Sequence, residues 1–321
     1  MNMNYPVYVD VTDSRKFEIP LREVKRYLGY GRVEMTPEVA GLARELIEEA
    51  RKIMRPRACY TRLAVTFMDY PRMDFGFGIV ESRNLWKNLS DGSLYDYTAP
   101  ALEVSSESPL PNSSTSSDES PDVSDVSPNN LFSVTETSLR QPSSVTEASF
   151  KQPSHVTGIP TERQISVSQQ PVIPLVRECF LLAATVGPQM DVLIRRYART
   201  SPSKSVILQA VGAAAIEAYC DLLEVRMSAE VADEGLTLLP RFSPGYGDFS
   251  LNHQRDFFRV LDPPRRAGIT LTDRLLMVPE KSVTAVIGLA GPDTGAACLP
   301  DRDASKNRCD ACLNKNCGYR V

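Results

Sequence analysis

The chain has 321 residues, 42% of them hydrophobic and 24% charged, a globular composition with length for one large domain or two ordinary ones. Its formal net charge of −4 is unevenly spread: residues 101–170 carry nine acidic and three basic side chains, leaving 31 acidic and 33 basic elsewhere. That near-neutral remainder gives no case for nucleic-acid binding, and no apolar run reaches the roughly 18–20 residues of a membrane span. The start, Met1-Asn-Met-Asn-Tyr-Pro-Val, lacks the basic and apolar regions of a secretory signal, so a cytoplasmic protein is expected.

In chain order, Leu21, Val24, Tyr27 and Leu28 share one helical face over Pro20–Leu28, and Gly29 can stop that helix. Thr36 and Pro37 form an N-cap and N1 pair opening a helix to about Met54. Its apolar stripe includes Val39, Leu42, Ala43, Leu46 and Ile47, and Arg55-Pro56 ends it. Ala58 to Phe67 reads as a strand, and order continues around Phe75 to Trp86.

Between about Ala99 and Gln170 the composition changes. Positions 101–170 hold 18 serines and seven prolines, with Phe132 and Phe150 as the aromatics. Such a segment cannot bury enough apolar surface to offset its chain entropy and is expected to be disordered. It contains an 11-residue repeat, Ser133-Val-Thr-Glu-Thr-Ser-Leu-Arg-Gln-Pro-Ser143 followed by Ser144-Val-Thr-Glu-Ala-Ser-Phe-Lys-Gln-Pro-Ser154. Two polar copies are too few to stack as a solenoid and fit a duplication within a tolerant linker.

Beyond Pro174 order resumes. Cys179–Thr185 is a continuous apolar run of the kind found in buried strands. Gly187-Pro188 opens a helix through Tyr197, and Ser201-Pro202 opens a longer one to about Ala229 whose middle is rich in alanine. Leu236–Leu239 leads to Arg241-Phe-Ser-Pro-Gly-Tyr-Gly-Asp248, after which a helix spans Leu251–Leu261 and strands are expected over Leu275–Val278 and Ser282–Leu289. The expected class is α+β, helices around a mixed or antiparallel sheet interrupted by a long disordered insert. The corresponding divisions are residues 1–98, 99–172, 173–295 and a Cys-rich tail, 296–321.

Two constellations carry chemistry. In the first, Pro244-Gly245 forces a tight turn where Gly245 takes positive φ, leaving backbone groups outward beside a guanidinium and a phenol. Those parts suit an amino-acid ligand: Arg241 for a bidentate grip on the carboxylate, backbone carbonyls for the ammonium, Tyr246 to stack or hydrogen-bond. The second is Cys298-x10-Cys309-x2-Cys312-x4-Cys317, four thiols that can ligate zinc or an iron–sulfur cluster. The spacing leaves zinc, a cluster and no metal all open. His155 and His253 are the two histidines, and neither sits in a context that suggests a Ser-His-Asp or His–metal site.

The run Arg241-x-x-Pro-Gly-Tyr246, then Gly268-Ile-Thr-Leu-Thr-Asp-Arg-Leu-Leu-Met-Val-Pro279 and Lys281-Ser-Val-Thr-Ala285, resembles the activation domain of cobalamin-dependent methionine synthase. The likeness extends from about Cys179 to Leu289, including Leu182-Ala-Ala-Thr-Val-Gly187, and is fainter over residues 16–66. The resemblance implies binding of S-adenosylmethionine, its amino-acid part held by Arg241 and Tyr246 with the Ser243 backbone assisting. It also implies an acidic residue on the long helix near the ligand, for which Glu217 is the nearest candidate. The cobalamin would be carried by the cobalamin-binding module of a methionine synthase or related corrinoid protein, reduced by a separate electron donor, and the domain itself would need no acid–base dyad. The chain has no cobalamin, folate or homocysteine module of its own, and the insert has no counterpart in that domain. The expected function is a stand-alone activation protein, and the alternative is a metal-binding electron-transfer or adaptor protein for a corrinoid methyltransferase.

Overall fold

The computed structural model describes residues 5–30, 33–91 and 176–291. The serine-rich insert and the tail cysteines Cys298, Cys309, Cys312 and Cys317 lie outside the described residues.

Strand β1 (Tyr8–Val11) leads to α1 (Leu21–Tyr27), which Gly29 ends at φ +79°. Helix α2 (Pro37–Ile53) opens as its sequence dictates. Thr36 is extended at the N-cap and its hydroxyl accepts the Val39 amide at 3.4 Å, while Pro37 occupies N1 without losing a needed donor. Ala43, Leu46, Ile47 and Ala50 form its buried stripe. Strand β2 (Arg57–Ala64) follows, and the expected single strand to Phe67 is broken at Val65, whose amide bonds back to the Arg177 carbonyl at 2.8 Å. The chain there leaves the main sheet for a small one built of β3 (Thr66–Phe67), β4 (Arg72–Asp74) and β5 (Ile79–Glu81), before α3 (Arg83–Asp91).

After the insert come β6 (Val176–Thr185), α4 (Pro188–Thr200) and α5 (Pro202–Val231). They are followed by β7 (Thr237–Leu238), α6 (Gln254–Leu261), α7 (Pro263–Arg266), a hairpin of β8 (Thr270–Leu271) and β9 (Met277–Val278), and β10 (Ser282–Ala290). The main sheet has the order β1-β2-β6-β10-β7 with every pair antiparallel, so strands from both sides of the insert build one sheet. The fold is α+β with an antiparallel sheet.

Both faces of that sheet are covered. Phe180, Leu182 and Ala184 of β6 pack with Ile287 and Leu289 of β10 in a core shared with α1, α2, α4 and α5. The alternate residues Cys179, Leu181 and Ala183 pack with Val286 against α3, α6 and the small sheet. A central strand buried on both faces has no polar side, which is why β6 reads as an unbroken apolar run. Helix α5 packs in the first of these cores. Its small residues let α4 and α2 approach closely, and fully buried Tyr219 sends its hydroxyl to Asp10 of β1 at 2.8 Å. Arg226 bonds the same carboxylate and Thr12 Oγ1, tying the N-terminal strand to the helix. Against the sequence expectation, α5 and the turn after it (Pro202–Glu234) are long and apolar enough to cross a membrane by length and composition, with an 18-residue window of mean hydropathy 1.6. In the fold most of that window is packed inside.

Candidate functional site

Arg241 sits just after β7, and its side chain turns to α5, where it is 9% exposed. The facing residues are Glu217, Asp221 and Glu224, spaced i, i+4, i+7 and therefore stacked on one face of the helix. One terminal nitrogen of Arg241 donates to Glu217, the other to Glu224 and, at 2.8 Å, to Asp221. Three carboxylates this close would repel one another without a cation among them. Burial alone would lower the Arg241 pKa, but Glu224 and Glu217 hold it well above the usual arginine value. The same surroundings, burial first and Glu217 next, raise the Tyr246 phenol.

Beyond Arg241 the chain is pinned at several points. Phe242 exchanges both backbone hydrogen bonds with Val286 at 2.8 Å, and its ring stacks on buried Phe249 with centroids 6.2 Å apart. Gly245 adopts φ +96°, as the Pro-Gly turn requires, and a Cβ there would come within 3.2 Å of Leu251 Cδ1. The turn closes on itself: the Gly245 amide donates to the Phe249 carbonyl at 2.7 Å and the Tyr246 amide to the Ser243 carbonyl at 3.2 Å. These two amides therefore do not face outward as the sequence suggested. Asp248 then reaches the start of α3, accepting from Ser82 Oγ at 2.6 Å and from the amides of Arg83 at 2.8 Å and Asn84 at 3.1 Å. Asn84 returns the contact by accepting the Asp248 amide at 3.1 Å. Gly247, at φ +55°, has no room for a side chain, since a Cβ would fall 2.3 Å from Asn84 Oδ1.

Between this loop and the β8–β9 hairpin lies a cleft of about 670 Å³, within the ordinary range for small-molecule sites. Arg241, Ser243 and Tyr246 line one wall and Glu217 contributes from α5. Leu275, Leu276 and Met277 form the opposite wall, and Gln254, Ser282, Val283 and Thr284 also contribute to the lining. Leu275 holds φ +63°, an uncommon conformation for a leucine, fixed by its amide bonding the Thr272 carbonyl at 2.9 Å. The hairpin is anchored from below, where Asp191 Oδ2 accepts the Glu280 amide at 2.9 Å and Lys281 Nζ donates to Gln209 at 2.5 Å. The Lys281 stem crosses Gly212 so closely that a Cβ there would lie 3.0 Å from Lys281 Cγ, and burial lowers the lysine pKa.

Of the residues singled out from sequence, Arg241, Ser243, Tyr246 and Glu217 line this one cleft, and Gly245 shapes its turn. Tyr246 is 53% exposed at the mouth. Sequence reasoning missed Asp221, Glu224, Gln254, Thr284 and the hairpin residues. The acidic stripe was detectable, because three carboxylates at helical spacing on a largely apolar helix require a partner. Among the described residues no group of three or more His, Cys, Asp or Glu is arranged to hold a metal ion.

No family model matches the chain, and no curated protein matches it. Among solved structures, a crystal structure of the MetH reactivation domain bound to AdoHcy is similar at 14% identity and a TM-score of 0.43, covering 91% of this chain and 80% of that one.

Proposed function

We propose that the cleft binds S-adenosylmethionine and that the chain acts as an activation component, supporting reductive methylation of cob(II)alamin held by a cobalamin-dependent methionine synthase or related corrinoid protein. The observation that carries this reading is the convergence of Arg241, Ser243, Tyr246 and Glu217 on one cleft of suitable size. When bound, S-adenosylmethionine supplies the methyl group. The chain's own residues bind and orient it, which needs no proton transfer from the protein.

The donor set fits an amino-acid moiety in an amended way. Glu217, partly exposed and lining the cleft beside Arg241, is placed to receive the ligand's ammonium. The Leu275–Met277 wall offers apolar surface for the nucleoside. The electron comes from a separate donor, and the tail cysteines remain candidate ligands for zinc or an iron–sulfur cluster.

Calorimetric titration tests the reading. Wild-type protein is expected to bind S-adenosylmethionine, and Tyr246→Ala, at an exposed position that should fold normally, is expected to weaken binding about tenfold. A folded wild type that takes up no S-adenosylmethionine refutes the reading. Return of methyl transfer in an oxidised partner synthase, supplied with this chain, S-adenosylmethionine and a reductant, tests the cellular role separately.

A further inference from the structure

Gln254 opens α6 and is 3% exposed, yet it lines the cleft. Its Oε1 accepts the hydroxyl of Thr284, itself buried, at 3.0 Å. In that bond the oxygen end of the amide faces Thr284. Among the described residues Nε2 has no hydrogen-bond partner, and it is not among the fully enclosed polar atoms left unpaired. The cleft is the open space that Gln254 lines, so its NH₂ is a donor presented there.

A second observation lies next to it. Phe242 and Val286 bond each other through both backbone groups, and the same side of β10 carries the Leu239 amide bonded to the Gly288 carbonyl. Backbone groups of alternate strand residues point the same way, so the N–H and C=O of Thr284 also face that side. There β7 pairs with Leu289 and Ala290 and stops short of Thr284. The open edge of β10 and the Gln254 amide thus place donors and an acceptor together beside apolar Leu251, Met277 and Val283. The charged groups Glu217 and Arg241 belong to the α5 side.

We propose that Gln254 is a specificity-determining residue, its Nε2 donating to a ring nitrogen of a planar heteroaromatic base seated against Thr284. A neutral amide in apolar surroundings matches a neutral acceptor on a flat ring better than it matches the zwitterionic end of an amino acid. The assignment rests on the cleft being the S-adenosylmethionine site, and it adds which protein group reads the base. Thr284 is a positioning residue acting through Gln254.

The experiment is calorimetric titration with S-adenosylhomocysteine and its 1-deaza, 3-deaza and 7-deaza analogues, each replacing one ring nitrogen by CH. Wild type is expected to lose about tenfold in affinity for one of the three analogues. Gln254→Met, which keeps the length but has no donor, is expected to lose about tenfold for the parent ligand and to show no further loss with that analogue. Equal binding of all three analogues by wild type overturns the assignment without recourse to any variant. Binding of the parent ligand by Gln254→Met at wild-type affinity overturns it too, while leaving the S-adenosylmethionine reading intact. Failure of folded wild type to bind the parent ligand removes both.

Discussion

Replacing Arg241 with methionine tests whether this residue holds the loop to α5 as well as facing the cleft. The substitution keeps an unbranched apolar stem but removes the guanidinium that bonds Glu217, Asp221 and Glu224. The magnitude depends on exposure. Glu224, 12% exposed, and Arg241, 9% exposed, form an effectively buried pair, and breaking one typically costs about 3–5 kcal/mol. Half-exposed Asp221 and partly exposed Glu217 are screened by water and add little. The expected loss is therefore near the lower end, about 3 kcal/mol, or roughly 6–12 °C in Tm for a chain of this size. Urea unfolding followed by circular dichroism at pH 7 measures it. The double variant Arg241→Met/Glu224→Leu removes both members of the buried pair and should recover at least half the loss, since apolar replacement of such a pair is often neutral. A cost below about 1 kcal/mol for Arg241→Met, or no recovery in the double variant, would refute the view of Arg241 as the loop's electrostatic anchor.

Gly247→Ala is expected to cost about 2–4 kcal/mol, combining left-handed backbone strain with loss of the Asn84–Asp248 contacts; urea midpoints equal to wild type would contradict the steric reading. Burial pushes the Cys59 thiol up to about 12 and raises Cys179 and Cys220 as well. The unfolded chain then releases these protons first, so the thiols' contribution to stability is constant below about pH 8 and is lost as pH rises toward 12, by up to about 1.4 kcal/mol per pH unit per thiol. Urea titrations at pH 8 and 10.5 check this, and the decline should be shallower in Cys179→Ala. Burial likewise raises the carboxyl of Asp191, whose Oδ1 has no partner. Asp191→Asn keeps an acceptor for the Glu280 amide and should gain about 1 kcal/mol at pH 7. The gain should vanish below about pH 3, where the aspartate is protonated in both states, and a loss at pH 7 would show the charge to be stabilising.

The helices were legible because their ends are local chemistry. Thr36-Pro37, Gly187-Pro188 and Ser201-Pro202 each mark a start that the structure uses. Strand β6 was legible as a buried run, though its antiparallel neighbours lie about a hundred positions away or more. The break at Val65 was not legible, since Ala58–Phe67 is apolar enough to continue and a contact with Arg177 diverts it. In the site, Gly245 announced its turn, but the pairing of that turn's amides with Ser243 and Phe249 is a tertiary outcome. Glu217 was seen from sequence as a single acid; its companions Asp221 and Glu224 gain meaning once β7 delivers Arg241 to the same helical face. Gln254 carried no signal at all, because an amide at a helix start is ordinary until its other end is found bonded to Thr284.

The most direct test of the central claim is where the ligand touches the chain. Ultraviolet cross-linking of methyl-labelled S-adenosylmethionine to the full chain, followed by peptide mapping, should place the label in peptides spanning 241–254 or 275–284. Label confined to other peptides, or no saturable labelling of the folded protein, would contradict it.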